Sequence, residues 1–457
     1  MTWEAYTGDM LKRDVRTPKV EPDPSTSIAS PVVPPEESLD ALVTVLDIVR
    51  HGEASTRPEI MRRTGLGRAV TVQRVEELLD RGLFVEGGLA ASSGGRSPRA
   101  LRFNAGAGHI LVVDLGATSI GVGIADLSGN LIAQHEESAD ITDGPEAIFA
   151  RVDKMLAALT KSVDRSLGNL WGIGIGVPGP VEFATGRPTS PPIMPGWDDY
   201  PVRERFTDRH RVPVWVDNDV NLMALGEYRS GVARGHAAAI FVKVGTGIGA
   251  GIIIDGRLHR GSQGSAGDVG HIQVTDDPTI VCRCGNRGCL EALAGGAALS
   301  RDGSQAAREN RSPILARLLA ERGHIEATEV GWAAAHGDAL SRELVTAAGH
   351  RIGLMVATLV NALNPSLVVI GGGVIRGGVT GVGDMLIAAV RETVYARSLP
   401  LATRELVIVR SSLDDEAGRI GAARLVADEL FSRVRIAAWL LAGSPAGLPE
   451  LVTTGSR

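Results

Sequence analysis

Residues Gly267–Glu291 read GDVGHIQVTDDPTIVCRCGNRGCLE, and every cysteine of the 457-residue chain falls inside this stretch: Cys282, Cys284 and Cys289. His271 lies just upstream. Three thiols and an imidazole form a Cys3His set, the ligand inventory of a closed structural zinc site. Gly285 and Gly288 supply the bends that let so short a loop wrap one metal. Confinement of all the thiols to eight residues argues against three unrelated buried cysteines. Asp268 lies three residues before His271 and Glu291 two after Cys289, so a metal that fixes the loop also fixes two carboxylates and one face of the imidazole. Such an arrangement holds several hydroxyl-binding groups rigidly around a polyol, with the metal behind them.

The element G-D-x-G-H followed by C-x-C-G-x-x-G-C-x-E resembles the zinc loop of the ROK family (repressors, open reading frames and sugar kinases). The resemblance implies that Asp268, His271 and Glu291 contact sugar hydroxyls while His271, Cys282, Cys284 and Cys289 hold structural zinc. Asp268 stands where the family's kinases commonly place Glu, so its carboxylate is one methylene shorter.

A hydrophobic content of 44% and a charged content of 22% are those of an ordinary globular protein, long enough here for two or three domains. The net charge of −6 gives no global case for nucleic acid, so a DNA-binding surface has to be local. Three cysteines in a metal pattern, with no signal peptide at the N-terminus, predict a reducing cytoplasm. The uncharged run Ile352 to Ile375 is broken by Asn361, Asn364, Pro365 and Gly371 to Gly373. It reads as helix, turn, strand and Gly-rich loop in a buried core, with no membrane span.

Residues 1–35, rich in proline and lacking an apolar period, read as a disordered leader. From Ser38 the pattern becomes helical, with Leu39, Leu42, Val43, Leu46, Ile48 and Val49 largely on one face. Pro58 opens a second short helix, Thr64 to Gly67 makes a turn, and a third helix runs from about Arg68 to Arg81. Two strand-like segments flank a Gly/Ser-rich loop and end at Phe103. The order is that of a winged helix-turn-helix over 36–104. Between Arg57 and Arg102 nine Arg face five acids, a basic patch in an acidic protein. Arg68, Thr71, Gln73 and Arg74 at the start of the third helix are the candidate base readers, and Arg96 and Arg99 the candidate wing contacts. A three-helix packing module with solvated arginines would show the same charges. The segments TRPEIMRRTGLGRAVTVQRVEELLDRGLFVE and SSGGRSPRALRFN are similar to the DNA-binding head of ROK-family repressors, with Gly67 where those proteins usually cap the helix with Ser.

Beyond Gly108, strand-like and helix-like segments alternate. His109 to Val113 leads into Asp114-Leu115-Gly116-Ala117-Thr118, a D-x-G-x-T turn. Lys243 to Gly251 carries glycine at alternate positions (Gly245, Gly247, Gly249) around Thr246, a backbone cradle without the G-K-[ST] of a P-loop. Asn364 to Ile370 enters Gly371-Gly372-Gly373. Any one of the three could be a plain turn. Their order resembles the actin-like, ribonuclease-H-like ATPase fold of sugar kinases, which implies ATP and Mg2+ at these loops. GIGIGVPGPV reads as a buried strand turning at Pro178-Gly179-Pro180, and the resemblance implies that this turn, with Gly179, lines the sugar. Pro213 to Val216 reads as a buried strand ending at Asp217-Asn218-Asp219, where ligands gather in α/β sheets. The resemblance makes Asp219 the catalytic base and Asn218 a sugar-binding amide; Asp219 could equally cap the following helix. Ile193 replaces the sugar-contacting Asn of the family's P-N-x-P-G-W run, and one lost contact to a buried hydroxyl costs about 1–3 kcal/mol.

The expected architecture is α/β: a winged helix-turn-helix fused to a two-lobed sugar-kinase fold with a structural zinc loop. The small lobe spans 105–222 and is completed by a helix at 423–442; the large lobe spans 223–422, and 443–457 is a flexible tail. A sugar-responsive repressor ranks first, with operator DNA and a sugar or sugar phosphate as partners and a homodimer or homotetramer as the working form. The alternative is an ATP-dependent sugar kinase of glucokinase or N-acetylhexosamine kinase type bearing a fused head. A third reading is a zinc-stabilised scaffold that binds neither.

Overall fold

Leu42, Val45, Leu46 and Val49 recur at helical spacing and are buried together along α1 (Glu36–Arg50). The structure, a computed structural model, describes residues 36–89, 99–163, 168–375 and 382–453. The expected leader, Arg96 in the wing and the last residues of the tail lie outside these. Thr56 caps α2 (Arg57–Thr64) by accepting from Glu59 N, Pro58 sits in its first turn, and Gly65 at φ 72° ends it. α3 (Arg68–Asp80) starts after Gly67, which offers no side-chain cap. β1 (Phe84–Leu89) pairs antiparallel with β2 (Arg99–Phe103), giving the helix-helix-helix-hairpin order of a winged helix-turn-helix.

Two five-stranded sheets follow, built on one plan. In the first, β3 (Gly108–Leu115), β4 (Ser119–Asp126) and β5 (Leu131–Ser138) form an antiparallel meander. After α4 (Pro145–Ser162), β6 (Asn169–Val177) pairs parallel with β3. A short ribbon, β7 (Val181–Glu182) and β8 (Arg187–Pro188), and α5 (Val202–His210) precede β9 (Val214–Asn218), parallel to β6. The order is β5-β4-β3-β6-β9.

α6 (Asp219–Ser230) leads to the second sheet. There β10 (Ala239–Val244), β11 (Ile248–Ile254) and β12 (Arg257–His259) form the meander. The zinc-type loop ends at α7 (Glu291–Ala294), and α8 (Gly296–Arg308), α9 (Pro313–Arg322), α10 (Ala327–Ala335) and α11 (Ala339–Leu363) follow. β13 (Leu367–Gly371), α12 (Val382–Arg397), α13 (Pro400–Thr403) and β14 (Val407–Arg410) complete the order β12-β11-β10-β13-β14. α11 is long and apolar enough to cross a membrane by composition, but Val345, Ile352, Val356 and Val360 pack into the core beside β10 and β13, as expected for the uncharged run.

α14 (Ala417–Leu430) crosses α6 so closely that a Cβ on Gly421 would lie 1.8 Å from Leu222 O. Glu227 of α6, fully buried, locks the crossing. Its Oε1 accepts from Ser411 Oγ, Ser412 N and Leu413 N (2.6–2.9 Å), and its Oε2 from Val232 N at 2.9 Å and Ser412 Oγ at 3.0 Å.

The C-terminal region departs from expectation. The closing helix begins at Ala417 and is interrupted at Phe431-Ser432 before α15 (Arg433–Trp439). The break turns Phe431 into a ring cluster with Phe103, Trp171 and Trp439. The stretch expected to be a flexible tail is docked through residue 453. Leu451 and Val452 are buried, and Arg435 donates to both of their carbonyls. Apolar burial distant in sequence outweighs the local Gly/Ser/Pro composition.

The head is no loose appendage. Leu42, Leu46, Phe84 and Leu101 belong to the same apolar cluster as Trp171, Trp215, Phe431 and Trp439. Arg50 donates to Asp428 at 3.0 Å, and Arg81 to Leu440 O at 2.5 Å.

Candidate functional site

Backbone pairing shapes the cysteine loop before any metal is considered. Cys282 N donates to Asn286 O at 2.8 Å, Gly288 N to Ile280 O at 2.8 Å and Val274 N to Gly288 O at 2.8 Å. Gly285 and Gly288 take φ of 89° and 72°, and a Cβ on Gly288 would meet Thr275 O at 2.0 Å. His271, Cys282, Cys284 and Cys289 consequently offer ligand atoms within 4.8 Å of one another, a group that can hold a metal ion. Burial first, then the neighbouring thiols, push Cys289 up to about 12, so its thiolate needs a cation among the sulfurs to form.

The same loop reaches the cleft. Glu291 is nearly buried, and its Oε2 accepts from Ile248 N at 3.1 Å, in the glycine cradle between β10 and β11. A Cβ on Gly247 would stand 2.1 Å from that oxygen, so a larger residue there would push the Glu291 carboxylate out of its place. Asp268 and His271, on the turn before the thiols, face the cavity.

That cavity measures about 660 Å3, the size of a small-ligand site. It brings together Gly116, Thr118, Gly179, Asn218, Asp219, Gly245, Thr246, Gly247, Gly249, Asp268, His271, Glu291 and Gly373, all expected from the sequence. Ile193, in place of the family's Asn, also lines it. Three expected residues stand back. Gly371 and Gly372 do not line it; they turn the chain against Phe241 and Val244 O, leaving Gly373 at the wall. Asp114 lies beneath, its carboxyl so close to the first turn of α14 that a Cβ on Gly418 would be 2.2 Å away. Burial first, then the charge of Asp219, push Asp114 up to about 6.

Asn218, not Asp219, caps α6: its Oδ1 accepts from Val220 N at 2.9 Å and Asn221 N at 3.2 Å, while its Nδ2 donates to Gly179 O at 2.9 Å. Asp219 occupies the first helical position. Its Oδ1 accepts from Val220 N at 2.8 Å, and its Oδ2 is ion-paired with Lys243. Lys243 was given no role by the sequence, because its partner is 24 residues away. Asp217, beside them, is structural: it accepts from Arg260 Nε at 2.8 Å and Asn221 Nδ2 at 2.9 Å.

On the head, helical phase corrects the expected reading surface. Thr71 and Arg74 turn inward with Val75 and Leu78; Thr71 is 0% exposed and Arg74 8%, the latter held by Glu77 at 2.5 Å. Neither can reach a base edge from there. Arg68, Val70 and Gln73 are exposed on α3, and Arg62 and Arg63 beside them on α2. Arg99 is exposed and pairs with Glu86 at 2.6 Å.

The sequence profile described as ROK family matches residues 110–429. The xylose repressor of Caldicellulosiruptor bescii is 31% identical over 392 residues, spanning 85% of this chain and 95% of its own. That exceeds the 348 residues from Ile110 to the C-terminus, so the likeness extends into the head. A glucokinase from Streptomyces griseus, solved with glucose and AMPPNP, superposes with a TM-score of 0.61 at 30% identity, covering 70% of this chain and 99% of that one. A ROK family transcriptional regulator, a homologue of the E. coli MLC protein, superposes with a TM-score of 0.73 over 92% of this chain and 100% of that one. At 23% identity that likeness is one of fold.

Proposed function

The chain belongs to the ROK family, and from that membership we propose that it is a sugar-responsive, DNA-binding transcriptional repressor. One observation carries the reading: a head with exposed Arg62, Arg63 and Arg68 shares an apolar core with the lobe whose strands end at the carboxylate-lined cleft. A sugar or sugar phosphate enters the cleft, and Asp268, His271, Glu291 and Asn218 are its hydroxyl partners. Operator DNA is read by Arg68 and Gln73 with support from Arg99. DNA sites read by such heads are commonly two-fold, which asks for a dimer or a tetramer of this chain.

Zinc is the metal we assign to the cysteine loop. Zn–S bonds of about 2.3 Å and a Zn–N bond of about 2.05 Å at tetrahedral angles require S···S near 3.8 Å and S···N near 3.6 Å. Cys284 Sγ and Cys289 Sγ are 3.7 Å apart, and Cys282 Sγ and His271 Nδ1 3.6 Å apart. Coordination through Nδ1 leaves Nε2 for the sugar, and the ion's role is to hold the loop.

The alternative reading, an ATP-dependent sugar kinase, is favoured by the intact Gly116–Thr118 turn, the glycine cradle and Asp219. The cradle's backbone fits nucleotide phosphates. The locus of a magnesium ion fits less well, because the Lys243 ammonium already stands on Asp219.

A gel shift of the full chain on the DNA upstream of its own gene tests the repressor. Sequence-specific retardation should change on adding the cognate monosaccharide and weaken in Arg68→Ala. Retardation indifferent to sequence at moderate salt would overturn it.

A further inference from the structure

A lysine on the central strand of a sheet needs a reason. In β10, Ala239 and Phe241 pack with Val220, Met223 and Ala224 of α6. Strand alternation puts Lys243 on that same face, where an apolar residue would otherwise continue the contact. Its neighbours across the sheet are Gly249 on one side and Gly371 on the other, so no side chain crowds its path. The path ends at Asp219, whose carboxylate is almost completely buried. The ammonium thus stands at the expected catalytic base, one strand-end from the Gly245–Gly249 cradle. It is also close enough to Asp114 to oppose the rise of that carboxyl. Asp114 and Asp219 are the two acids with which a magnesium–nucleotide complex would have to deal.

We propose that Lys243 is a built-in cation that takes the place of the divalent metal between Asp219 and the phosphate loop, making the cleft a metal-independent sugar receptor. It is a positioning residue acting through Asp219: the ion pair holds α6's first turn, and with it Asn218, in the sugar-binding arrangement. A second cation brought in with ATP meets a like charge at close range. The proposal deepens the reading of the cleft as a sugar site and rests on it.

Calorimetry on the full chain separates the two. Wild type should bind a monosaccharide equally with and without added Mg2+, and Mg2+ should leave its ATP affinity unchanged within about twofold. Lys243→Met should gain roughly tenfold or more in Mg2+-dependent ATP affinity, while Lys243→Arg, which keeps the cation, should behave as wild type. Thermal melts confirm that each variant is folded, and the wild-type measurement needs no variant. Wild type that binds sugar yet takes MgATP at least tenfold more tightly than ATP alone would overturn the proposal. So would sugar-dependent ADP release that Lys243→Met abolishes, which would make the lysine a phosphate ligand. Failure to bind any monosaccharide would instead remove the reading beneath it.

Discussion

Replacing Glu227 by glutamine tests whether the two central helices are clamped as described. The carboxylate is fully buried and accepts from five donors, three on Oε1 and two on Oε2. An amide has one acceptor oxygen. If its NH2 takes the Oε2 position, Val232 N–H loses its acceptor and faces another donor. If it takes the Oε1 position, the N–H groups of Ser412 and Leu413 are both orphaned. Each orphaned N–H, part-buried beside the carboxylate, costs about 1 kcal/mol, the low end for an unmet donor, and the remaining bonds lose their charge assistance. The expected loss is therefore about 2–4 kcal/mol. Urea unfolding read by tryptophan fluorescence measures it, since Trp215 lies in the core against α6 and α14. Sugar affinity should fall as well, because the other end of α6 carries Asn218 and Asp219. A stability change below about 0.5 kcal/mol would refute the reasoning, since no geometry of the amide satisfies all five donors.

Asp114 gives a pH dependence of known sign. Its folded value, about 6 against an ordinary 3.8, means that ionisation is disfavoured in the native state. The penalty is absent below about pH 4, grows through pH 4–6 and is constant above. Asp114→Asn should therefore gain about 1–3 kcal/mol over wild type near pH 7.5 and almost nothing near pH 4, read from denaturant midpoints at each pH. Cys284→Ser should remove most of the bound zinc, measured by metal analysis at about one ion per wild-type chain, and weaken sugar binding by roughly ten- to a hundredfold. Arg74→Ala should lower stability by about 1–2 kcal/mol through lost packing and leave base preference unchanged; altered base preference in a selection assay would show that the side chain swings outward on DNA.

The cleft was legible because its groups travel in local motifs. The spacing of Cys282 to Cys289 declares a metal loop and the order of the glycine turns a phosphate cradle; the structure puts Gly245–Gly249 on the cavity wall together with Asp268, His271 and Glu291 of the cysteine loop. What escaped depends on partners distant in the chain. Lys243 looked like an incidental residue of the cradle until Asp219 was placed beside it. Thr71 and Arg74 were misassigned by helical phase, a rotation that the polar character of both residues concealed; Val70, apolar and exposed, occupies the outward position. Leu451 and Val452 follow a Gly-, Ser- and Pro-containing stretch, and only the core formed by Trp171, Phe431 and Trp439 gives them somewhere to go.

That shared core limits how such a protein can be rebuilt. A chimaera joined at the end of the hairpin, with a foreign reading head grafted onto this sensor, would strip Phe103 from Phe431 and Arg50 from Asp428. The aromatic face left bare invites aggregation before any promoter is touched. Exchange of specificity is safer by resurfacing α3 in place, around Arg68, Val70 and Gln73, where the side chains already point away from everything that holds the molecule together.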